Sequence, residues 1–331
     1  MSELYLLTGA TGHLGGVIAQ KLLAQNRKVR VLVLPNETKV PPENAEICYG
    51  DVRDKESLQR FFSFAEEACV TVIHCAGIVT IQAHYDARVA EVNIGGTQNI
   101  IDLCLAKQVH KLVYVSSVHA IPTLPRGMTI AETDVFSPDA VVGLYAKTKA
   151  AATALVLTAA QHGLPASVVH PSGIIGPYDD GNNHLTAMIK GFCSGKLPVG
   201  VVGGYDFVDV RDVADGVLAC AKQGATGACY ILSGHYATIR DVFALLSDIS
   251  GQKMTRIYLP SFLAKLFAYS IEQVAKWRHV RPLYTAYSMY TLGTNACFSH
   301  QKASDALGYA PRPLAKTLAD TVKWLAEQTS N

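Results

Sequence analysis

The chain has no cysteines at C-x-x-C spacing and no histidines at H-E-x-x-H spacing, although it holds 8 cysteines and 11 histidines. Cys48, Cys69, Cys75, Cys104, Cys193, Cys220, Cys229 and Cys297 are widely dispersed, most of them inside apolar runs. That pattern points to reduced, buried thiols in a cytoplasmic protein, and no metal site is expected. Charge of one sign is missing too. The net charge of +2 supplies no field that would draw in nucleic acid or an anionic membrane. A signal peptide is not expected, because Glu3-Leu4-Tyr5-Leu6-Leu7-Thr8 reads as a strand running straight into a glycine loop. The segment that most resembles a membrane span, 259–277, carries Lys265, Glu272 and Lys276. Its apolar residues Leu263, Leu266, Phe267, Ile271 and Val274 recur at helical spacing, so no span is expected. It reads as an amphipathic helix packed on the protein, with a lid or an interfacial surface as the alternatives. Internal repeats and low-complexity tracts are also lacking.

What is present is a large core. A chain of 331 residues, 49% hydrophobic and 17% charged, suits one large domain or two intimate ones. Apolar strands are expected at 3–8, 28–34, 45–49, 70–74, 111–116 and 166–170. Helices are expected at 13–25, 55–66, 86–107 and 144–162. The alternation of strand and helix predicts an α/β, Rossmann-type doubly wound parallel sheet, closed by a seventh strand at Cys229-Tyr230-Ile231-Leu232. After His170 the rhythm breaks: 171–205 is rich in glycine and proline, and Phe207 to Ala214 reads as the start of a helix. A final helix is expected from about Leu314 to Glu327. The predicted division is a dinucleotide-binding domain over 1–172, rejoined by 206–233, with an interleaved substrate lobe from 173–205 and 234–331.

The chemistry gathers at two runs. Gly9-Ala10-Thr11-Gly12-His13-Leu14-Gly15 lies between the first strand and the first helix. Gly9 would make the turn there, Gly12 would leave room for a pyrophosphate at the helix N-terminus, and Gly15 would let helix pack on strand. The second run, Tyr145-Ala146-Lys147-Thr148-Lys149, follows a Ser116-Ser117 pair. Tyr145 and Lys149 share one face of a helix. A free phenol ionises near pH 10, and an ammonium beside it would bring that value down toward a useful range. Ser117, at a strand end, could hydrogen-bond a substrate oxygen together with the phenol. Taken alone, Y-x-x-x-K is more often a packing aromatic and a solvated lysine, but the glycine loop and the Ser-Ser strand end favour catalysis. Asp51 after the third strand could accept from an adenine amine or simply form a turn. Ala76-Gly77 could let backbone approach a ribose, and Asn93 could be a cofactor contact or an ordinary polar helix position.

With these residues in view, nearly the whole chain resembles the extended short-chain dehydrogenases/reductases. The matching runs are Thr8 to Gly15, Gly50-Asp51-Val52, His74-Cys75-Ala76-Gly77, Asn93 to Thr97, Tyr114-Val115-Ser116-Ser117, Tyr145 to Lys149, and Phe207 to Ala214. The resemblance implies that Tyr145 is the acid-base residue, that Lys149 binds the nicotinamide ribose and lowers the tyrosine pKa, and that Ser117 positions the carbonyl. It favours adenine binding for Asp51. The cofactor contacts it implies are Gly9, Thr11, Gly12, His13, Leu14, Gly15, Leu34, Asp51, Val52, Cys75, Ala76, Gly77, Asn93, Ser116, Tyr145, Lys149, His170, Pro171 and Gly173.

The branch follows from what stands beside those motifs. Dehydratases of this fold place an Asp-Glu pair where this chain has Val118-His119, and sugar-nucleotide epimerases place an asparagine where it has Gly173. The pattern looks closer to the dihydroflavonol-reductase and 3β-hydroxysteroid-dehydrogenase branch, with His170 replacing that branch's common arginine. Val33-Leu34-Pro35-Asn36-Glu37 carries neither the usual acid for NAD nor the usual arginine for NADP. The missing acid at Leu34 and the nearby Lys39 favour NADP(H) over NAD(H). The expected function is reduction of a ketone or aldehyde on an apolar or aromatic small molecule, or oxidation of the matching alcohol. His119, Tyr178, His184, Tyr205 and Phe207 are pocket candidates. The alternatives are a nucleotide-sugar epimerase using the same Ser/Tyr/Lys set and a cofactor-sensing binding module. A homodimer through the helices at 86–107 and 144–162 is expected from the resemblance.

Overall fold

The computed structural model describes residues 3–80, 86–179, 183–255, 257–260 and 286–330. The amphipathic helix expected over 259–277 lies outside the described residues from 261 onward. The main sheet contains β1 (Glu3–Thr8), β2 (Lys28–Val33), β3 (Glu46–Tyr49), β4 (Cys69–His74), β5 (Lys111–Val115), β6 (Ala166–Pro171) and the strand Cys229–Leu232. Every pairing in it is parallel, and the order runs from Cys229–Leu232 through β6, β5, β4, β1 and β2 to β3. All residues of β5 and β6 are buried, as a parallel sheet covered on both faces requires. One face carries α1 (His13–Ala24), whose Val17, Ile18 and Leu22 share an apolar cluster with Val213 and Val217. The other face buries Ile100, Cys104, Ala150 and Val156.

Strands depart from the expected limits by a residue at most. The helix expected at 55–66 is absent, and 52–62 is a chain of turns. The local side chains explain this. The Ser57 hydroxyl donates to the Asp51 and Asp54 carbonyls and accepts from Asp51 N–H, competing with helical bonding. Arg30 meanwhile takes the carbonyls of Phe61 at 3.1 Å and Ser63 at 2.6 Å. Adjacent Phe61 and Phe62 are both fully buried, plugging the sheet without helical period. The helix expected at 86–107 is interrupted: α2 (Ala87–Ala90) and α3 (Thr97–Ala106) flank a π-helical turn, Glu91–Gly96. A β-carbon on Gly96 would lie 3.0 Å from Val52 Cβ, so the turn sits directly against the segment after β3.

After α4 (Leu144–Gln161) and β6, the glycine- and proline-rich segment builds smaller sheets. These contain β7 (Gly173–Ile175), β8 (Val199–Val201) and β9 (Gly204–Asp209), separated by α5 (His184–Cys193). Phe207 to Asp209 is strand, not helix start. Asp209 accepts from Arg211 N–H as an N-cap, so α6 (Val210–Gln223) begins one residue later. The main-sheet strand Cys229–Leu232 is β10, and β11 (His235–Thr238) joins β9 and β7. Then follow α7 (Ile239–Ser250), β12 (Ile257–Leu259) beside β8, α8 (Ala286–Gly293), α9 (Gln301–Leu307) and α10 (Leu314–Ser330). Arg211 bridges Asp209 at 2.7 Å and Asp320 at 2.8 Å, and Arg312 meets Asp212 at 2.6 Å. These ion pairs fasten α10 and the link before it to α6.

Candidate active site

A cavity of about 510 Å³ opens at the carboxyl ends of β1, β4, β5 and β6, with α5, β9 and α8 opposite. Gly9, at φ 76°, turns the chain out of β1. A β-carbon on Gly15 would lie 2.7 Å from the Gly9 carbonyl carbon, so only glycine lets α1 start so close to the strand. Gly12, His13 and Leu14 present the N-terminus of α1 to the cavity. This cradle fits a dinucleotide pyrophosphate, since backbone N–H groups and the helix dipole point where phosphate would lie. His13 Nε2 donates to the Pro177 carbonyl at 2.8 Å, and burial lowers its pKa. Thr11 turns its hydroxyl out of the cavity, donating to Glu37 at 3.2 Å. The other Glu37 carboxylate oxygen accepts from Thr38 N–H and Lys39 N–H.

Ser117, Tyr145 and Lys149 all line this cavity. Tyr145 and Lys149 sit in the first turns of α4, and Ser117 follows β5. The Ser117 hydroxyl accepts from His119 N–H at 3.2 Å, and the Ser117 side chain acts on the Tyr145 phenol to lower its pKa. Lys149 Nζ donates to the Val115 carbonyl at 2.8 Å and to the Tyr114 hydroxyl at 3.2 Å. Burial lowers its pKa to about 8. The expected lowering of the Tyr145 pKa by Lys149 is not found. Burial pushes the Tyr145 phenol up to about 12, and the opposing pull comes from Ser117. The ammonium is directed at Val115 and Tyr114. Ser116, also on the cavity wall, bonds Thr153 at 2.7 Å through its hydroxyl, bracing α4 against β5.

Beside Tyr145, His119 lies between two phenols. Its Nε2 is 2.9 Å from the Tyr205 hydroxyl and its Nδ1 is 3.3 Å from the Tyr287 hydroxyl. Its ring stacks on Tyr205 and stands edge-on to Tyr145, with centroids 6.0 Å apart. Tyr287 was not anticipated from the sequence, and no local pattern around it marks it out. Val79, Leu185, Met188, Phe207, Ile239 and Leu292 make the remaining wall largely apolar.

Other sequence candidates divide. Cys75, Gly77, Pro171, Gly173 and His184 line the cavity. Ala76 does not; its N–H is donated to Thr8 Oγ1 at 3.1 Å. Asn93 is held by the Ile78 backbone at 2.8 and 3.1 Å and by Thr148 at 3.0 Å. It therefore ties the loop after β4 to α4. The Asp51 carboxylate is clasped by Arg53, 2.6 Å at the shortest contact, and its pKa is lowered by that bond. Val52 is buried in the core, and Leu34 is exposed at the end of β2. His170 is turned away from the cleft. Its Nδ1 donates to the Ser117 carbonyl at 3.1 Å, its ring stacks flat on Phe136 at 5.2 Å, and burial lowers its pKa to about 4. It supports the Ser117 turn from behind. Tyr178 is half-exposed against Trp324 and also lies off the cavity wall.

Among the described residues, no group of three His, Cys, Asp or Glu converges as a metal site. No described helix is long and apolar enough to cross a membrane.

Comparison with known proteins agrees with this architecture. The model of the NAD dependent epimerase/dehydratase family matches residues 5–232. Over 327 residues the chain is 28% identical to sterol demethylase protein B of Methylococcus capsulatus, covering 98% of each. It is 27% identical over 315 residues to a 4-hydroxy-2-methyl-3-oxo-4-farnesyl-3,4-dihydroquinoline-1-oxide ketoreductase of Stigmatella aurantiaca, covering 92% of this chain and 91% of that one. The crystal structure of gox2253 superposes with a TM-score of 0.83 at 30% identity, covering 99% of this chain and 98% of that one.

Proposed function

The chain belongs to the NAD dependent epimerase/dehydratase family, within the extended short-chain dehydrogenases/reductases, and from that premise we propose that it is a carbonyl reductase. It reduces a ketone or aldehyde on an apolar or aromatic small molecule, or oxidises the matching alcohol. The observation carrying this reading is the convergence of Ser117, Tyr145 and Lys149 on one cavity with the glycine loop. When bound in that cradle, the nicotinamide dinucleotide supplies or takes the hydride. Ser117 and Tyr145 hydrogen-bond the substrate oxygen. The phenol, held protonated by burial, gives its proton to that oxygen during reduction. Lys149 fixes the β5 end through Val115 and offers its remaining N–H to the cofactor ribose.

The apolar wall supports this reading over the epimerase alternative. Among the described lining residues, the lysines are Lys39 beside the glycine loop and Lys149 beneath it. Leu185, Met188, Phe207, Ile239 and Leu292 instead give the cavity an apolar face suited to an apolar or aromatic substrate. A binding module without turnover would have no use for a buried phenol and a serine on one cavity wall beside a buried lysine.

Leu34 and Lys39 favour NADP(H), whereas Glu37 favours NAD(H). Its carboxylate meets Thr11 in the glycine loop, about where an acidic residue takes the adenosine ribose hydroxyl and would repel a 2′-phosphate. Dissociation constants for both cofactors decide this, and Glu37→Gln should narrow the gap between them.

The substrate lobe is assigned to 173–205 and 234–331, and the protein to a homodimer in the cytoplasm. Light scattering returning a mass near the 35.6 kDa of one chain would refute the dimer. The function itself is tested by steady NAD(P)H consumption across a panel of ketones and aldehydes, alongside thermal stabilisation by UDP-sugars. Consumption with carbonyls supports the reading. Stabilisation by UDP-sugar alone overturns it in favour of epimerisation.

A further inference from the structure

Three distant segments bring Tyr205, His119 and Tyr287 together on the wall beside Tyr145. They are β9, the turn after β5, and α8. This cluster has a proton count that matters. Burial lowers the His119 pKa to about 4, so its imidazole is neutral at ordinary pH. A neutral imidazole has one N–H donor and one bare nitrogen acceptor. With a phenol at each nitrogen, one hydroxyl must donate to the bare nitrogen while the other accepts from the N–H. The accepting phenol therefore keeps its own O–H available. Both phenols and His119 line the cavity, and burial raises the pKa of each phenol, so both stay protonated. Ser288 and Thr291 lie on the wall beside Tyr287, while Met188, Phe207, Ile239 and Leu292 make the rest of the cavity apolar, so a donatable O–H facing it favours a ligand oxygen as its partner.

We propose that the Tyr205–His119–Tyr287 bridge binds a second oxygen on the substrate, a hydroxyl or carbonyl apart from the one that reacts. The inference rests on the reading that the cleft takes carbonyl compounds, and it narrows that class to oxygenated ketones. The bridge donates one phenolic O–H to the second oxygen. It also offers the lone pairs of the other phenol when that oxygen carries a hydrogen. His119 acts as a positioning residue, since its tautomer decides which phenol donates.

The test compares acetophenone with its 2-, 3- and 4-hydroxy isomers, which place the second oxygen at increasing distance from the carbonyl. Both kcat/KM and calorimetric binding to the enzyme with cofactor are measured. At least one isomer should be preferred over acetophenone by about three- to tenfold, the range of one added hydrogen bond. In Tyr205→Phe, Tyr287→Phe or the double variant, whose rings still fill the wall, that ratio should fall toward one. Equal binding and turnover of all four compounds by the unaltered enzyme would overturn the inference, as would a preference that survives the double variant. Isomer-selective binding without any hydride turnover would instead retain the bridge and reject the reductase reading. Turnover without isomer preference would do the reverse.

Discussion

The ring of Tyr287 fills the space that a β-carbon on Gly143 would occupy, with three ring carbons no farther than 3.0 Å from that position. Gly143 is the residue before α4 and holds φ at 99°. The C-terminal part of the chain thus docks on the start of the helix that carries Tyr145 and Lys149. Glycine is required there twice over, by its backbone and by the neighbouring ring.

Gly143→Ala is therefore expected to destabilise the protein by roughly 1–3 kcal/mol from backbone strain alone, with further loss from displacement of Tyr287. Catalysis should suffer beyond the loss of fold, because Tyr287 and His119 both shift. Urea midpoints and kcat/KM measured on the folded fraction check this. An unchanged midpoint would show that Tyr287 does not pack as described.

Lys149→Met removes a donor to the Val115 carbonyl, 2.8 Å away, and the N–H proposed for the cofactor ribose. Charge-assisted hydrogen bonds contribute about 1.5–3 kcal/mol, so cofactor binding should weaken about ten- to hundredfold. Lys149→Arg should restore little, since a planar guanidinium does not fit the site of a compact ammonium. Cofactor titration by calorimetry gives the answer, and full rescue by arginine would contradict the geometry.

The Tyr145 phenol should stay protonated in the free enzyme well past the ordinary tyrosine range, since burial pushes it up to about 12. A spectrophotometric titration of the wild type, with the Tyr145→Phe profile subtracted, should show no phenolate below pH 10. Alcohol oxidation, which needs the phenolate, should keep rising with pH across the neutral range, while carbonyl reduction should not require alkaline conditions. A phenolate titrating near neutrality in the free enzyme would mean that Lys149 controls Tyr145 after all.

Acid stability carries a further signature. Burial lowers the pKa of His74 to about 3 and those of His119 and His170 to about 4. Unfolded, each would titrate near 6.5. Between those values the unfolded chain binds more protons, so stability is full above about 6.5 and falls as pH drops toward 4. Each histidine that stays neutral withdraws on the order of 1.4 kcal/mol per pH unit in that window. Urea midpoints should decline between pH 6.5 and 4.5. A flat profile would show that these rings are not held neutral.

The sheet and the glycine loop were legible because their signals are local. An apolar strand meets glycines at fixed offsets, and a Y-x-x-x-K run sets two side chains on one helical face. The missing helix at 55–66 was not legible, because Arg30, far off in sequence, takes the carbonyls of Phe61 and Ser63. The partners of Asp51 and His170, Arg53 and the Ser117 carbonyl, were not legible, because spacing shows where a residue falls in an element and not what its side chain meets. Tyr287 lies 168 residues from His119. Only tertiary packing brings them together.

The central claim is that the buried phenol of Tyr145 transfers the proton, and Tyr145→Phe tests it most directly. The ring is kept and only the hydroxyl is lost. Hydride transfer to the best carbonyl substrate should fall at least hundredfold, the lower range for a lost general acid, while calorimetric cofactor binding stays within about threefold, less than one ordinary hydrogen bond. Turnover within tenfold of the wild type, with cofactor still bound, would contradict the account.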